Sequence, residues 1–424
     1  MFRDPAARQN SGRGPRINRR VFAAGASAAI VSSGMLMRSA GAQAAPLKVG
    51  LLLPKSSYEA AIGQSCQRGA EIAQDLLNEM GYSVKLDLMN ADTESSVDVA
   101  RAQAEKLIAA GAQVLIGAFD SGQSAAIAQV TEQHGIPFVV NIASATQLTE
   151  QGYKYVVRNF LTAQQLLTNG LTLMKEFFVA TGHTPKTAAY LHVNDTFGTQ
   201  VSSGIEKTFP SLDMPFKIVE TIAYDPAAKD LSVEVSRAKA SGADIVMLTS
   251  RLNDAILLVR EMVKQRYQPM GVISPGSPGM YEEQFYATLG KYADYCTSNV
   301  PWYNPKSEIS DKVIAAFKKR YPNDKPYGHI FNVGFTFEAL LIAADAYSRA
   351  KTTEPKALMA ALRATKIEKH VMVGGPIEFD AKGQNNNIAS VALQNRNLKP
   401  TVVLPKAAAQ MAPVFPMPGW NNRG

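Results

Sequence analysis

Residues that bind metal ions are scarce in this sequence of 424 residues, which has two cysteines and five histidines. No two of these residues stand at the spacing that would place a pair of metal ligands on one face of a helix. The composition therefore gives no support to a metal site, and we expect neither a metal nor another cofactor.

An excess of charge of one sign is confined to a short part of the chain. The whole sequence carries a formal net charge of +8, but residues 1–44 alone contain seven arginines and one aspartate. Those residues account for +6, which leaves +2 for the remaining 380 residues. A nearly neutral body lacks the basic surface that binds nucleic acid, so we expect no nucleic-acid partner.

The first 44 residues have the features of an export signal. Arg19 and Arg20 precede an apolar run over residues 21–37, and the small residues before and at Ala44 fit a cleavage site. The run "NRRVFAA" resembles the twin-arginine motif but lacks the serine or threonine that often precedes the arginine pair. We predict a cleaved signal and a periplasmic protein, with the twin-arginine and general secretory routes both open. An uncleaved N-terminal anchor is the alternative, which the short run rich in small residues disfavours.

The two cysteines, Cys66 and Cys296, lie far apart in the sequence. An oxidising compartment permits a disulfide between them. No spacing pattern supports one, and two buried small side chains is the favoured interpretation. After residue 44 we expect no segment long and apolar enough to span a bilayer.

Strand-like and helix-like segments alternate along the rest of the chain. Apolar strands such as "LKVGLLLP" (47–54) and "QVLIGAF" (113–119) are each followed by a helical pattern. Four strands are predicted up to residue 143, and the pattern restarts with "TAAYLHV" (187–193). The predicted fold class is therefore α/β, with two lobes that each contain a doubly wound parallel sheet. Ligands of such sheets bind beyond the carboxyl ends of the strands, so we expect the site in a cleft between the lobes.

The stretch "VLIGAFDSGQSAAIAQV" (114–130) places Ser121 where a strand turns into a helix. Three roles are open for this serine: a nucleophile, a helix cap and a donor to a ligand. The nucleophile elbow of hydrolases needs a glycine two residues to each side, and neither position is glycine here. We favour a ligand role, in which Ser121 Oγ and the backbone N–H groups of Gly122, Gln123 and Ser124 bind a carboxylate at the helix N-terminus.

Five segments stand in an order and spacing that are specific when taken together: "AGAQVLIGAFDSGQSAAIAQVTEQHGIPFV", "ASATQLT", "YVVRNF", "LHVNDTFGTQV" and "GGPIEFDAKGQ". They resemble the periplasmic solute-binding proteins of ABC importers, in particular the branched-chain amino-acid-binding group, over about residues 47–395. The resemblance implies a type I periplasmic binding fold whose two lobes are joined by a hinge of three crossings. It also implies a protein that closes on a small ligand, carries it to a permease and catalyses no reaction.

The resemblance further implies the domain boundaries. Lobe 1 is expected over residues 45–161 and 304–374, and lobe 2 over residues 162–303 and 375–404. A tail over residues 405–424, rich in proline, alanine and methionine, is expected to be loosely ordered. The expected partners are a small carboxylate-bearing ligand and an ABC permease in the inner membrane, and we expect a monomer.

Both lobes contribute residues that match the family's ligand contacts. In lobe 1, Ser121 matches the carboxylate-binding serine, and Ala143 and Ser144 match the next ligand loop. In lobe 2, Phe197 matches an aromatic residue that covers the ligand, while the first loop of lobe 1 supplies Ile62. The full set of predicted site residues is Ser121, Gly122, Gln123, Ile142, Ala143, Ser144, Phe197, Arg251, Ile62 and Tyr58.

Two positions depart from the family's amino-acid binders. The loop "SPGSPG" (274–279) has no acidic residue where those proteins place the carboxylate that binds the ligand's ammonium. A buried ammonium without a counter-ion costs on the order of several kcal/mol. Arg251 stands where the family often has a neutral aromatic residue, and an arginine prefers an anion. Both departures favour an aromatic or other organic acid over an amino acid.

Three alternatives to organic-acid transport stay open. The first is a branched-chain or other amino-acid-binding protein, and the second is a ligand sensor built on the same fold. The third is a periplasmic amidase or hydrolase with Ser121 as its nucleophile, for which His192 is the only histidine expected near the cleft. The sequence favours a binding protein over an enzyme.

Overall fold

The structure, a computed structural model, describes residues 45–326, 329–406 and 409–423. The described residues form two large sheets and a short third sheet, with helices packed around them. The predicted export signal over residues 1–44 lies outside the described residues.

The first sheet contains five parallel strands, and we use lobe 1 for this sheet and the helices packed on it. The strands are β1 (Leu47–Leu53), β2 (Leu86–Asp92), β3 (Val114–Gly117), β4 (Phe138–Val140) and β5 (Val156–Arg158). Their order is β2-β1-β3-β4-β5. The order reverses between β1 and β3, and a ligand of such a sheet binds beyond the strand ends at that reversal.

The second sheet, which with its helices forms lobe 2, contains parallel and antiparallel strands. Its first strands are β6 (Thr187–Val193), β7 (Lys217–Tyr224), β8 (Ile245–Thr249), β9 (Gly271–Ser274) and β10 (Thr297–Pro301). The short third sheet pairs β11 (Lys366–Ile367) with β12 (Ile377–Glu378), and lobe 2 is completed by β13 (Ser390–Asn395) and β14 (Pro400–Leu404). The order in the second sheet is β14-β13-β10-β9-β8-β6-β7.

The two last strands depart from the wholly parallel sheet that the sequence predicts. β13 is antiparallel to β10, and β14 is antiparallel to β13. The short connection between β13 and β14 permits only an antiparallel pair, because a parallel pair needs a crossover of a dozen residues or more. The predicted two-lobed α/β fold is confirmed, with this antiparallel edge added to lobe 2.

Helices fill the connections between the strands and cover the sheets. They are α1 (Ala60–Glu71), α2 (Ala73–Glu79), α3 (Val97–Ala109), α4 (Ser121–His134), α5 (Gln147–Glu150), α6 (Ala163–Thr181), α7 (Thr196–Thr208), α8 (Ser232–Ala240), α9 (Leu252–Lys264), α10 (Glu283–Leu289), α11 (Glu308–Arg320), α12 (Ile330–Ala350) and α13 (Pro355–Arg363). Several begin directly after a parallel strand, so their N-termini lie at the edge of the sheet where ligands bind.

Helix α12 is the central helix of lobe 1. Its 21 residues are long and apolar enough to cross a membrane by length and composition, which differs from our expectation for the chain after residue 44. However, 94% of its most apolar window is buried inside the protein, and the helix packs against α1. Its apolar surface is therefore used in the core of the lobe.

Two glycines allow the helices that follow β1 and β6 to approach their strands closely. A Cβ atom on Gly63 would lie 2.0 Å from the carbonyl oxygen of Pro54, and one on Gly198 would lie 1.7 Å from that of Val193. A larger residue at either position would push the helix away from the strand end. The close approach at Gly198 holds the neighbouring Phe197 at the cleft.

The C-terminal segment differs from the loosely ordered tail that its composition predicts. Phe415, Met417 and Trp420 are buried, and Trp420 Nε1 donates a hydrogen bond to the carbonyl oxygen of Tyr267 at 2.7 Å. Arg423 is also buried and donates to two backbone carbonyls of lobe 2. These large side chains fix the described part of the segment to lobe 2. The predicted residue ranges of the lobes stay a prediction.

Candidate ligand-binding site

A cavity lies between the lobes, at the carboxyl ends of strands from both sheets. Its volume is about 30 Å³, room for only a few water-sized groups, so the lobes are in close contact around it. Apolar side chains form most of its wall: Phe119, Ile142, Phe160, Leu166, Phe197, Pro278, Val300 and Phe331. The other lining residues are Ser121, Ser144, Arg251 and Gly276.

Two serine hydroxyls are the uncharged polar side chains of the cavity. Ser121 Oγ accepts a hydrogen bond from the N–H of Ala145 at 3.2 Å, which leaves the hydroxyl proton able to donate to a ligand. Ser144 Oγ is buried and has no hydrogen-bond partner among the described residues. A buried hydroxyl without a partner is unfavourable. Both hydroxyls are therefore suited to bind an acceptor group inside the cavity.

Helix α4 does not offer its backbone N–H groups to the cavity as the sequence predicts. Asp120 caps this helix, and its Oδ1 accepts from the N–H of Gln123 at 2.9 Å. The carbonyl oxygen of Asp120 accepts from the N–H of Ser124 at 2.9 Å. Gly122 and Gln123 are not lining residues of the cavity. Of the three N–H groups that were expected to hold a carboxylate, those of Gln123 and Ser124 already bind Asp120.

Arg251 lines the cavity, but its guanidinium binds carboxylates of the protein. Its Nε lies 2.8 Å from Glu59 Oε1, and its Nη2 lies 2.6 Å from Asp120 Oδ2. Its Nη1 pairs with Asp195, and its Cζ lies 5.2 Å from the centre of the Phe197 ring. Burial lowers the pKa of Arg251, but the surrounding carboxylates outweigh that effect and hold its pKa well above the usual value.

The carboxylates around Arg251 were not found by sequence reasoning. Burial, and then the nearby Asp120, raise the pKa of Glu59 to about 8. Burial also raises the pKa of Asp120. Both residues follow strand ends of the sheet in lobe 1, and Asp120 directly precedes the predicted ligand residue Ser121. Their position after strand ends was the feature of the sequence that could have predicted them as site residues.

The structure brings some of the remaining predicted residues to the cavity and not others. Phe197 and Ile142 line it. Ile62 and Ala143 are both buried, but neither lines the cavity. Tyr58 is half-buried and contributes its carbonyl oxygen, which accepts from Asn253 Nδ2 of lobe 2 at 2.6 Å.

A buried arginine holds the loop that carries Ser144. Arg158 Nη1 donates to the carbonyl oxygen of Ala145 at 2.6 Å and approaches that of Ala143 at 3.4 Å. Its Nε donates to Gln384 Oε1 at 2.7 Å. Burial lowers the pKa of Arg158 to about 9. This side chain was missed as a contributor to the site, although it lies within the quoted segment "YVVRNF".

Little in the cavity favours acid–base catalysis. His192 is buried against Tyr190, its Nδ1 lies 3.1 Å from the carbonyl oxygen of Val193, and it is not a lining residue. The described residues contain no group of three or more His, Cys, Asp or Glu side chains that could hold a metal ion. Cys66 and Cys296 are both buried free thiols. The arrangement is suited to hold a small molecule between two lobes.

Two α/β lobes that meet around a mainly apolar cavity define a bilobal ligand-binding protein with a Venus-flytrap fold. A family profile described as "Periplasmic binding protein" matches residues 46–396. The chain belongs to this family, in its type I, branched-chain amino-acid-binding group. It is a solute-binding protein of the ABC-transporter type, and membership of the family implies export to the periplasm.

Curated relatives match nearly the whole chain. Leu/Ile/Val-binding protein homolog 8 of Brucella abortus (strain 2308) is 26% identical over 385 residues, which is 86% of this chain and 92% of that protein. Leu/Ile/Val-binding protein homolog 7 of Brucella melitensis biotype 1 is 27% identical over 395 residues, which is 89% of this chain and 96% of that protein. The names of both relatives describe them as homologues of a Leu/Ile/Val-binding protein.

Solved structures share the fold. A solute-binding protein of an ABC transporter from R. palustris, in complex with benzoate, has a TM-score of 0.71 at 20% identity and covers 87% of this chain and 98% of its own. The branched-chain amino acid transporter substrate binding protein of Streptococcus pneumoniae, in complex with isoleucine, has a TM-score of 0.69 at 17% identity. The match covers 84% of this chain and 98% of that protein. At these identities the likeness establishes the fold alone.

Proposed function

We propose that this chain is the extracytoplasmic substrate-binding component of an ABC importer and that it captures a small organic or aromatic acid. The main support for this proposal is the lining of the cavity, which combines aromatic and aliphatic side chains with two serine hydroxyls and contains no acidic residue. An apolar wall favours the hydrocarbon part of a ligand, and hydroxyl donors favour a carboxylate.

In this proposal the carboxylate binds at the two serines. Ser121 Oγ and Ser144 Oγ each donate a hydrogen bond to it, and Ser144 has no competing partner among the described residues. Four phenylalanine rings surround the hydrocarbon part of the ligand: Phe119, Phe160, Phe197 and Phe331. Because the cavity is small in this structure, the solute is expected to be a single ring or a short chain.

An amino-acid ligand is the second candidate, and a specific observation favours it. Three carboxylates stand around one guanidinium beside the cavity: those of Glu59, Asp120 and Asp195 around Arg251. An ammonium group placed near them would reduce this excess of negative charge. Against this candidate, none of the three is a lining residue of the cavity.

A thermal-shift screen with matched pairs of solutes separates the two candidates. Leucine is compared with 4-methylpentanoate, and phenylalanine with 3-phenylpropanoate, so that each pair differs only in the ammonium group. We expect stabilisation by the acids and little by the amino acids, since at a fixed concentration a ligand that binds more tightly raises the melting temperature more. Stabilisation by leucine or phenylalanine, and not by 4-methylpentanoate or 3-phenylpropanoate, would support the amino-acid candidate instead.

Three further experiments address the remaining alternatives and the expected monomer. Incubation of the stabilising solute with the protein should leave it chemically unchanged, whereas an amidase or hydrolase would show turnover of an amide or ester that is lost in Ser121→Ala. Reconstitution with a candidate permease in liposomes separates a transport component from a sensor, because only the former drives solute uptake. Gel filtration with light scattering checks the expected monomer.

A further inference from the structure

Four charged side chains join the lobes beside the cavity, and we call them the interlobe cluster. Glu59 and Asp120 belong to lobe 1, and Asp195 and Arg251 belong to lobe 2. Arg251 Nε is 2.8 Å from Glu59 Oε1, and Nη2 is 2.6 Å from Asp120 Oδ2. Arg251 Nη1 pairs with Asp195 of its own lobe. One guanidinium therefore links carboxylates of both lobes.

The interlobe cluster is buried and has more negative than positive groups. The side chains of Glu59, Asp120 and Arg251 are 0%, 8% and 7% exposed, and that of Asp195 is 16% exposed. If all three carboxylates were ionised, the single guanidinium would leave two negative charges uncompensated. Burial and like-charge repulsion both disfavour that state, and binding a proton relieves it.

Among the described residues, Arg251 is the only cation that forms a salt bridge with a carboxylate of the interlobe cluster. The main titratable and charged groups around Glu59 come from its own turn, from α1 and from the N-caps of α4, α7 and α9. They are Tyr58, Cys66, Asp120, Asp195 and Arg251. Gln123 is neutral and donates from Nε2 to Glu59 Oε2 at 2.7 Å. Asp254, the other acidic group that acts on Arg251, accepts a hydrogen bond from its backbone N–H.

We propose that the interlobe cluster is a clamp that holds the two lobes closed and takes up a proton when it forms. The proposal depends on the two-lobed fold and not on the identity of the ligand. When the lobes separate, Glu59 and Asp120 lose Arg251 and gain water, while Asp195 stays with Arg251 on lobe 2. The clamp assigns Arg251 a positioning role in closure in place of a direct bond to the ligand's carboxylate.

The pKa of Glu59 sets the pH range over which the clamp responds. Burial, and then Asp120, raise this pKa to about 8 in the closed form, whereas the ordinary value is 4.5. Between those limits the closed form holds a proton that the open form lacks, so a fall in pH favours closure and a rise in pH favours opening. One coupled proton changes the ratio of closed to open molecules by about tenfold per pH unit.

Spin labels on the two lobes measure this ratio without a known ligand. Val97 on α3 and Val233 on α8 are 44% and 66% exposed and lie in the first turns of helices at the cleft-facing strand ends. Cysteines at these positions take the label, while the native thiols of Cys66 and Cys296 are buried. Double electron–electron resonance between about pH 5.5 and 8.5 then gives the fractions of closed and open molecules.

We expect the short-distance fraction to grow as the pH falls and to be reduced at every pH in Arg251→Gln. Arg251→Lys should restore part of it, because a lysine keeps the charge but not the forked geometry. The control Arg237→Gln removes an arginine that pairs with Glu220 within lobe 2 at 2.5 Å, and it should leave the distances unchanged. Circular dichroism confirms that each variant is folded.

A double variant and a matched control locate the proton. Glu59→Gln with Asp120→Asn should remove the part of the pH dependence of closure that comes from the clamp. Glu282→Gln should keep that part and remove only the contribution of Glu282 itself, whose pKa burial also raises to about 8 and whose Oε1 accepts from Asn332 Nδ2 across the lobes at 2.9 Å. The proposal is overturned if Arg251→Gln leaves the distances unchanged, if closure grows with rising pH, or if Glu282→Gln alone abolishes the response. None of these results bears on which solute binds.

Discussion

Replacing Ser144 with alanine tests the proposed carboxylate site directly, because this hydroxyl has no partner among the described residues. Ser144 is 2% exposed, so the change removes a buried polar atom and no hydrogen bond within the protein. We expect the free energy of unfolding to stay within about 0.5 kcal/mol of the wild-type value or to rise slightly. A hydrogen bond to a charged group contributes about 1.5–3 kcal/mol, so the Kd for the acid should increase about 10- to 150-fold.

The assay pairs calorimetric titration of the best acid from the screen with urea denaturation of the same protein samples. Ser390→Ala is the control, since Ser390 Oγ is also buried without a partner but does not line the cavity. Ser121→Ala is the contrast: it leaves the N–H of Ala145 without its acceptor and should lower the free energy of unfolding by about 1–3 kcal/mol. An unchanged Kd in Ser144→Ala, or a loss of stability as large as in Ser121→Ala, would refute the reasoning.

Three further predictions concern the scaffold. Arg158→Met removes four buried hydrogen bonds and should lower the free energy of unfolding by about 2–4 kcal/mol in urea denaturation, with weaker solute binding. Trp420→Ala should lower it by about 3–5 kcal/mol, and Trp420→Phe by less, whereas a loosely ordered tail would show no loss. Burial raises the pKa of Cys66 to about 12 and that of Cys296 to about 11; both thiols should react with Ellman's reagent only after unfolding, and fast reaction of the native protein would contradict their burial.

The parallel part of the fold could be predicted because its signal is local. The run predicted as a strand over 47–54 is β1 (Leu47–Leu53), and the run over 113–119 contains β3 (Val114–Gly117). Continuous apolar runs mark strands that are buried on both faces. The antiparallel edge of lobe 2 and the packed C-terminal segment carry no such signal, because Trp420 and its neighbours gain their burial from contacts with residues far away in the sequence.

The candidate site was predictable as far as it follows from strand ends. Ser121, Ser144 and Phe197 each follow a parallel strand, and the structure places all three in the cavity lining. Phe331 and Leu166 also line the cavity, but they lie on α12 and α6, where a buried aromatic or aliphatic residue looks like any other core residue. Only the three-dimensional arrangement distinguishes a side chain that faces the cavity from one that faces the core.

The role of Arg251 could not be predicted from its position in the sequence alone. Whether its guanidinium is free to bind a ligand depends on carboxylates from three separate loops. An anion brought to this guanidinium would also meet the carboxylates of Glu59 and Asp120, so we expect the carboxylate of the proposed solute to bind at the serines. This division of roles has a measurable consequence. Arg251→Gln should weaken the binding of 3-phenylpropanoate and of 3-phenylpropanamide by the same factor, because the substitution acts through closure of the lobes. Ser144→Ala should weaken the binding of the charged acid more than that of the neutral amide. Calorimetric titration of both solutes measures the two factors, and a selective loss of the acid in Arg251→Gln would return the arginine to the role of a direct anion ligand.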